Sequence, residues 1–403
     1  MRTIFHCDIN NCFASIEMAM HPELRQHPLA VCGDPSQRRG IVLAKSESAK
    51  KWGVRTGDTV WRARQKCPDL RFVLPHFEIY ERYSAQIRAY YEQYTPQVEP
   101  YGIDECWLDV TDCVRHLARP AEELAHRIRM DIHRIFGVTI SVGVSFNKAF
   151  AKLGSDMKKP DAVTCILPEH FREQIWPLPV SSLFGAGRST TERLGQIGVK
   201  TIGQLACSDR SWIRTRLGKN GEKLWCYANG LDDAPVTNES RERQSLSHGT
   251  TLNRDVFSSA ELWPVIEGLS DKIAFELQEE GFAAQAIQIY VRDSELCFHQ
   301  YQMRLSFLVE ASRLIAEYSL MLLSQGYDWR LPIRAVGIRL FQLEHGDRGR
   351  QLPLFGEREQ YLRNRREKAT DGVLRSIQSR FGETTIYRGG REQTVAWCHP
   401  PGG

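Results

Sequence analysis

The 403-residue chain has no Cys-x-x-Cys pair, although 11 cysteines are scattered from Cys7 to Cys398. An odd, dispersed set excludes a disulfide framework and argues against a zinc site, leaving the thiols as small apolar fillers. No apolar run is long enough to span a bilayer. "MRTIFHCDIN" meets an acid at Asp8, where an export signal would need an apolar core. The expected setting is therefore a reducing cytoplasm. A strong charge of one sign is also lacking. The formal net charge is only +4, so a nucleic-acid partner has to be argued from where the basic residues lie. Internal repeats are absent too. What remains is an ordinary foldable composition, 42% hydrophobic and 25% charged, in a chain long enough for two to four domains.

Periodicity divides the chain. "TIFHCDI" alternates as a strand and breaks at Asn10-Asn11, after which "FASIEMAM" has helical spacing. "LAVCG" and "GIVLAK" read as short buried strands and "SESAKKWGV" as a helix, making a small mixed unit over residues 11–74. A long amphipathic helix is expected from Phe77 to Tyr94 and another from about Ala121 to Phe136, with strands near 107, 142 and 165. Together with the first strand these make an α/β sheet with one covered face. Residues 166–232 change to short helices and many glycines. "LDDAPVTNESRERQ" (231–244) is polar and reads as a linker. Beyond it, "SLSHGTTL", "AIQIYVRD", "QMRLSFLV" and "RAVGIRLFQL" predict a four-stranded sheet carrying two helices.

Two stretches carry the chemistry. In "YGIDECWLDVT" the adjacent acids Asp104 and Glu105 stand where Gly102 allows a bend, and Asp8 ends another strand. Three hard oxygen donors suit magnesium, with water and phosphate completing its shell, and suit zinc poorly. Alone, such a pair more often bounds a surface hairpin. The second stretch, "SVGVSFNKAFAKLGSDMKKP", runs from a strand into a basic helix. Lys148 and Lys152 share a helical face, and no acid stands four residues before either. An unpaired basic helix beside a magnesium site fits phosphate.

In their order and spacing, "HCDINNCFASIE", "GIDECWLDVT" and "NKAFAKLGSDMKKP" resemble the three catalytic motifs of Y-family (translesion) DNA polymerases of the bacterial polymerase IV and V group. The resemblance covers residues 1–343 and runs more loosely into the tail. It implies an α+β right-hand polymerase with a palm (1–10 and 75–165), fingers (11–74) and a helix–hairpin–helix thumb (166–232). A linker (233–244) and a little finger (245–343) follow, then a tail (344–403). It implies low-fidelity, template-directed DNA synthesis by a soluble monomer acting on primer-template DNA and dNTP, with two Mg2+ ions and Mn2+ an acceptable substitute. By matching position, Asp8, Asp104 and the main-chain carbonyl of Ile9 hold the ions, and Glu105 completes the site. Phe13 falls at the steric gate against the ribonucleotide 2′-hydroxyl, Ile41 and Leu43 roof the nascent base pair, and Lys50 and Lys159 lie near the triphosphate.

For DNA the resemblance offers Lys148 and Lys152, the Gly185-x-Gly187 turn at a helix start, and Arg241, Arg243, Arg254, Arg292, Arg334 and Arg339 near the little finger. "QLPLF" resembles the pentapeptide that docks on the bacterial β sliding clamp, with Gln351 as a polar latch and Leu354 and Phe355 as apolar anchors. There are departures. Where the polymerase IV pattern has Tyr-x-x-Arg, this chain has "ESAK", so Glu47 and Lys50 replace the tyrosine and arginine. Lysine lacks the bidentate fork of arginine. Glu47 repels a triphosphate unless it turns away or pairs with a lysine. Asn10 stands where an acid is common. A DNA- and clamp-tethered accessory protein without catalysis and a two-metal nuclease remain alternatives. The helical stretch after the pentapeptide has no assigned role.

Overall fold

The computed structural model describes residues 2–34, 40–117, 119–238, 242–345, 358–382 and 385–386. The chain divides into two compact units, Met1–Ser240 and Arg241–Gly403.

The first unit starts with β1 (Ile4–Ile9), α1 (Cys12–Met20), β2 (Leu29–Cys32), β3 (Val42–Lys45), α2 (Glu47–Lys51), α3 (Val60–Lys66) and β4 (Arg71–Val73). It continues through α4 (Phe77–Tyr91), β5 (Val98–Tyr101), β6 (Glu105–Asp109), α5 (Thr111–Leu117), α6 (Ala121–Phe136), β7 (Ile140–Ser145), α7 (Lys148–Met157) and β8 (Val163–Ile166). The short helices α8 (Phe171–Ile175), α9 (Arg188–Gln196) and α10 (Ile202–Cys207) follow, then α11 (Arg210–Ala228), which is kinked at Gly218. The second unit holds β9 (Ser245–Val256), α12 (Ser259–Glu279), β10 (Phe282–Asp293), β11 (Phe298–Val309), α13 (Ser312–Gly326), β12 (Ile333–His345) and α14 (Arg358–Phe381). No described helix is long and apolar enough to cross a membrane. The described cysteines are all free thiols, half of them buried.

The palm sheet has the strand order β5-β6-β1-β7-β8. β1 lies antiparallel to both β6 and β7, and alternation sends Phe5, Cys7 and Ile9 into a core shared with α4 and α6. The opposite face carries Ile4, His6 and Asp8. That face was expected to be uncovered, but α7 lies across it. A Cβ on Gly143 would fall 1.8 Å from the main-chain oxygen of Ala151, so glycine in β7 is what lets the helix approach this closely. A second, three-stranded sheet, β3-β2-β4, lies in the stretch expected to form the fingers, around a small core of Ala30, Val42, Ala49, Val54, Ala63 and Leu70. Helices α9, α10 and α11 pack through Leu194, Ile202, Ile213 and Leu224, sharing a core with Phe150 of α7.

Part of the expected linker is built into the palm. Val236 is buried with Ile4, Trp107 and Ala151. Val98 N–H donates to Asn238 Oδ1 at 2.8 Å, and Arg2 holds the carbonyls of Asp232 and Ala234. A polar composition predicts free chain here, but these partners lie far back in sequence.

The second unit has the antiparallel order β11-β10-β12-β9, with α12 and α13 filling one face, as the alternation predicts. The helix left unassigned, α14, is a third structural helix. α13 begins at Ala311 without a side-chain cap of its own. Buried Asp371 of α14 accepts from Ser312 N–H at 2.9 Å and Ser312 Oγ–H at 2.7 Å, and buried Asn364 accepts from Ala311 N–H at 3.2 Å. These bonds cap α13 from another element, satisfying N–H groups that would otherwise be orphaned.

Candidate active site

Strand pairing gathers the acids. Asp8 and Glu105 are direct cross-strand partners in β1 and β6, so their side chains leave the sheet on the same face. Ile9 N–H donates to the Asp104 carbonyl at 3.0 Å, and Gly102 takes the positive φ of 81° that turns the hairpin into this position. The three carboxylates feel one another. Asp104 is pushed up to about 6, first by burial and then by the charges of Asp8 and Glu105. Asp8 is likewise raised, chiefly by burial, against the pull of Lys159. Glu105 goes the other way. Burial opposes its ionisation, but hydrogen bonds from His6 and Lys152 hold it down to about 2.

The counter-charges come from α7 and the segment after it. Lys159 reaches Asp8 Oδ2 at 2.6 Å and Asp156 Oδ1 at 2.8 Å, and Lys152 is hydrogen-bonded to Glu105. Lys148 is buried, 2.5 Å from Glu99 Oε2 and 3.3 Å from the Pro235 carbonyl, with its ammonium 4.6 Å from the Trp107 ring centroid. This corrects the expectation of an unpaired basic helix. The acids that pair its lysines lie on β5 and β6, where spacing along the helix cannot show them. Lys148 anchors the chain that follows α11, and Lys152 stands against Glu105.

His6 is a site residue that the sequence reading missed. It is fully buried on the Asp8 face, with Nε2–H donating to Glu105 Oε2 at 3.0 Å and Nδ1 2.8 Å from Ser155 Oγ. Strand alternation already puts residue 6 on the same face as residue 8, and that signal was available. Asn10 uses its amide structurally, donating to Ser141 Oγ at 2.9 Å and accepting from Asp161 N–H at 2.8 Å. Glu47 is engaged, accepting from Asn11 Nδ2–H at 2.9 Å, with Lys50 at 3.4 Å.

Phe13, half-buried on α1, stacks on Tyr80 with ring centroids 4.5 Å apart and meets Phe77 edge-on at 5.9 Å. Tyr80 OH in turn donates to the buried Glu17 at 2.5 Å. Ile41 is exposed and Leu43 half-buried, both on the fingers strap at β3. In the thumb, Gly185 and Gly187 are exposed and lead into α9, whose first turn has no side-chain cap.

On the second unit, register places Arg292 and Arg339 on the face away from α12 and α13, and Arg304 joins them across from Ala286. Arg304 was missed because its strand was read without pairing register. Arg334 lies at the irregularity where β12 slips against β10, and Arg254 lies 3.7 Å from Glu261. Arg243 departs from the expected open face, since its guanidinium is 2.6 Å from Glu280 and 3.7 Å from Glu276 at the end of α12. Arg241, Gln351, Leu354 and Phe355 lie outside the described residues.

No His, Cys, Asp or Glu cluster of three among the described residues stands ready-made for a metal. The donor set nevertheless fits hard cations. Asp8 and Glu105 leave the sheet side by side, the Asp8 and Asp104 carboxyls are pushed up by burial, and lysine ammonium groups stand on oxygens of Asp8 and Glu105.

The family model described as "impB/mucB/samB family" matches residues 7–156, and that of its C-terminal domain matches residues 243–354. A DNA polymerase IV from Acetivibrio thermocellus is 40% identical, covering 96% of this chain and 97% of its own. One from Clostridium acetobutylicum is 31% identical over 96% and 97%. Among solved structures, a Y-family DNA polymerase chimera of Dbh and Dpo4 superposes with a TM-score of 0.75 at 24% identity, over 84% of this chain and 98% of that one. An insertion ternary complex of Dbh DNA polymerase gives 0.59 at 23%, with the same coverage.

Proposed function

The chain belongs to the impB/mucB/samB family, and from that premise we propose that Asp8, Asp104 and Glu105 carry nucleotidyl transfer from a dNTP to a primer 3′-hydroxyl. The protein is a DNA-directed DNA polymerase of the Y-family translesion class. The observation that carries the residue assignment is the cross-strand pairing of Asp8 with Glu105, beside an Asp104 whose carboxyl both neighbours repel.

Membership implies a divalent-metal requirement, and we assign magnesium, with manganese as a substitute, on the hardness of the oxygens. Asp8, Asp104 and the Ile9 carbonyl would hold the ions, with Glu105 towards the primer end. When bound, such ions lower the pKa of the primer hydroxyl and neutralise the triphosphate. The protein supplies the rest. His6 and Lys152 fix the Glu105 side chain. Lys159, with its side chain 30% exposed, can exchange Asp8 for a triphosphate oxygen. Phe13, braced by Tyr80, occupies the volume a 2′-hydroxyl would need. Lys50 is a weaker phosphate partner than arginine, because it is a point charge and already leans on Glu47.

The uncapped start of α9 at Gly187 offers N–H groups to a template or primer phosphate. Arg292, Arg304 and Arg339 offer sequence-independent backbone contacts from the open sheet face of the second unit. Clamp docking through Gln351, Leu354 and Phe355 rests on the sequence pattern.

The test is extension of a labelled primer on intact and abasic templates. Extension that needs both dNTP and Mg2+ supports the proposal. Shortening of the primer when nucleotides are withheld would favour the nuclease reading instead.

A further inference from the structure

Helix α3 displays an exposed indole that the account of nucleotidyl transfer leaves unused. Trp61, on the first turn of α3, is 70% exposed, and its ring meets no other aromatic ring among the described residues. Tryptophan combines a large apolar ring with an N–H donor and is enriched at contact surfaces.

The backbone beneath it is rigid. Thr59 caps α3, its side chain accepting from Arg62 N–H at 3.3 Å, and Thr59 bridges Ile41. Val60 N–H donates to the Gly40 carbonyl at 3.2 Å, and Val42 N–H to that of Asp58 at 2.8 Å. Trp61 is thus two residues beyond the pairing that holds Ile41, the residue that the family resemblance assigns to the roof of the nascent base pair. The same strap is tied to the turn after Asp8 through Glu47 and Asn11.

The stretch around it is net positive. Residues 42–66 hold seven lysines and arginines against two acids. Both acids are already engaged, Glu47 by Asn11 and Lys50, and Asp58 by Lys66 at 2.6 Å. An exposed aromatic plane on a hydrogen-bonded backbone amid net positive charge is the chemistry that holds single-stranded nucleic acid without sequence choice. A protein partner would not need this excess of positive charge.

We propose that Trp61 is a stacking platform for the unpaired template base immediately 5′ of the base being copied. The inference rests on the polymerase reading above and adds a template subsite to it. The platform steadies the strand ahead of the site, which matters most when the templating position is damaged and contributes little stacking of its own.

The test is single-nucleotide incorporation on two templates, one ending at the templating base and one continuing for several nucleotides. Stacking of one base corresponds to roughly 5- to 150-fold in affinity. Wild-type kcat/KM should therefore favour the longer template by at least about fivefold. Trp61→Ala should bring that ratio close to one, and Trp61→Tyr should keep part of it. An abasic residue at the first overhang position should lower wild type to its short-template value. A Trp61→Ala enzyme that keeps the wild-type ratio would overturn the platform, as would an abasic overhang with no effect. If wild type extends neither template, the polymerase reading itself falls, and the subsite with it.

Discussion

Substituting Asp104 by Asn should make the metal-free protein more stable. Burial and the charges of Asp8 and Glu105 lift the Asp104 carboxyl from an ordinary 3.8 to about 6. At roughly 1.4 kcal/mol per unit, those two units set a ceiling of about 3 kcal/mol. Because the group is only partly buried, solvent screening reduces this to about 1–1.5 kcal/mol. The sign follows from proton counts. Between pH 4 and 6 the folded state holds a proton that the unfolded state has released, so wild type loses stability as pH rises through that window. Above pH 6 the full penalty is present, and Asn, with similar volume and no charge, removes it. For a unit of this size the melting midpoint at pH 7.5 should rise by roughly 2–5 °C. The gain should shrink as the buffer is taken from pH 6 towards 4. Mg2+ should then stabilise wild type more than the variant, by about 1.4 kcal/mol at ten times its Kd. Differential scanning fluorimetry with and without Mg2+ reads all of this. A variant that melts lower than wild type at pH 7.5, or a gain independent of pH, would refute the idea that these acids repel one another.

Three further outcomes are expected. Phe13→Ala should raise ribonucleotide insertion more than tenfold, at least about 1.4 kcal/mol of discrimination, measured as the ratio of kcat/KM for ribo- and deoxynucleotides; an unchanged ratio would assign the gate elsewhere. Asp371→Ala removes both bonds to Ser312 at the start of α13 and leaves only that of Asn364, so chemical denaturation of the C-terminal unit should show a loss of about 2 kcal/mol. No loss would mean that α14 is dispensable. Replacing Leu354 and Phe355 with Ala should weaken binding to the clamp at least tenfold, about 1.4 kcal/mol, while unassisted extension continues; binding that is unaffected would leave the pentapeptide without a role.

What was legible in the sequence was what local pattern controls. The helix expected at Ala121–Phe136 is found as read, and the four strands of the second unit are found where expected, each longer than its quoted segment, because amphipathic spacing and alternation report directly which face is buried. The acids were found through motif order, and strand register explains why they meet. What stayed hidden depends on partners distant in sequence. Lys148 looked free until Glu99 was placed beside it, and α14 had no assigned role until Asn364 and Asp371 met the start of α13. Val236 looked like linker until Ile4 and Trp107 covered it. His6 is the exception, since alternation alone puts it beside Asp8.

The most direct measurement is primer extension by the Asp104→Asn protein across a Mg2+ titration, with DNA affinity determined on the same samples. Loss of extension by at least a thousandfold at every Mg2+ concentration, about 4 kcal/mol of barrier, with primer-template still bound as in wild type, is the expected result. Extension at the wild-type rate would mean that the reacting ions sit elsewhere.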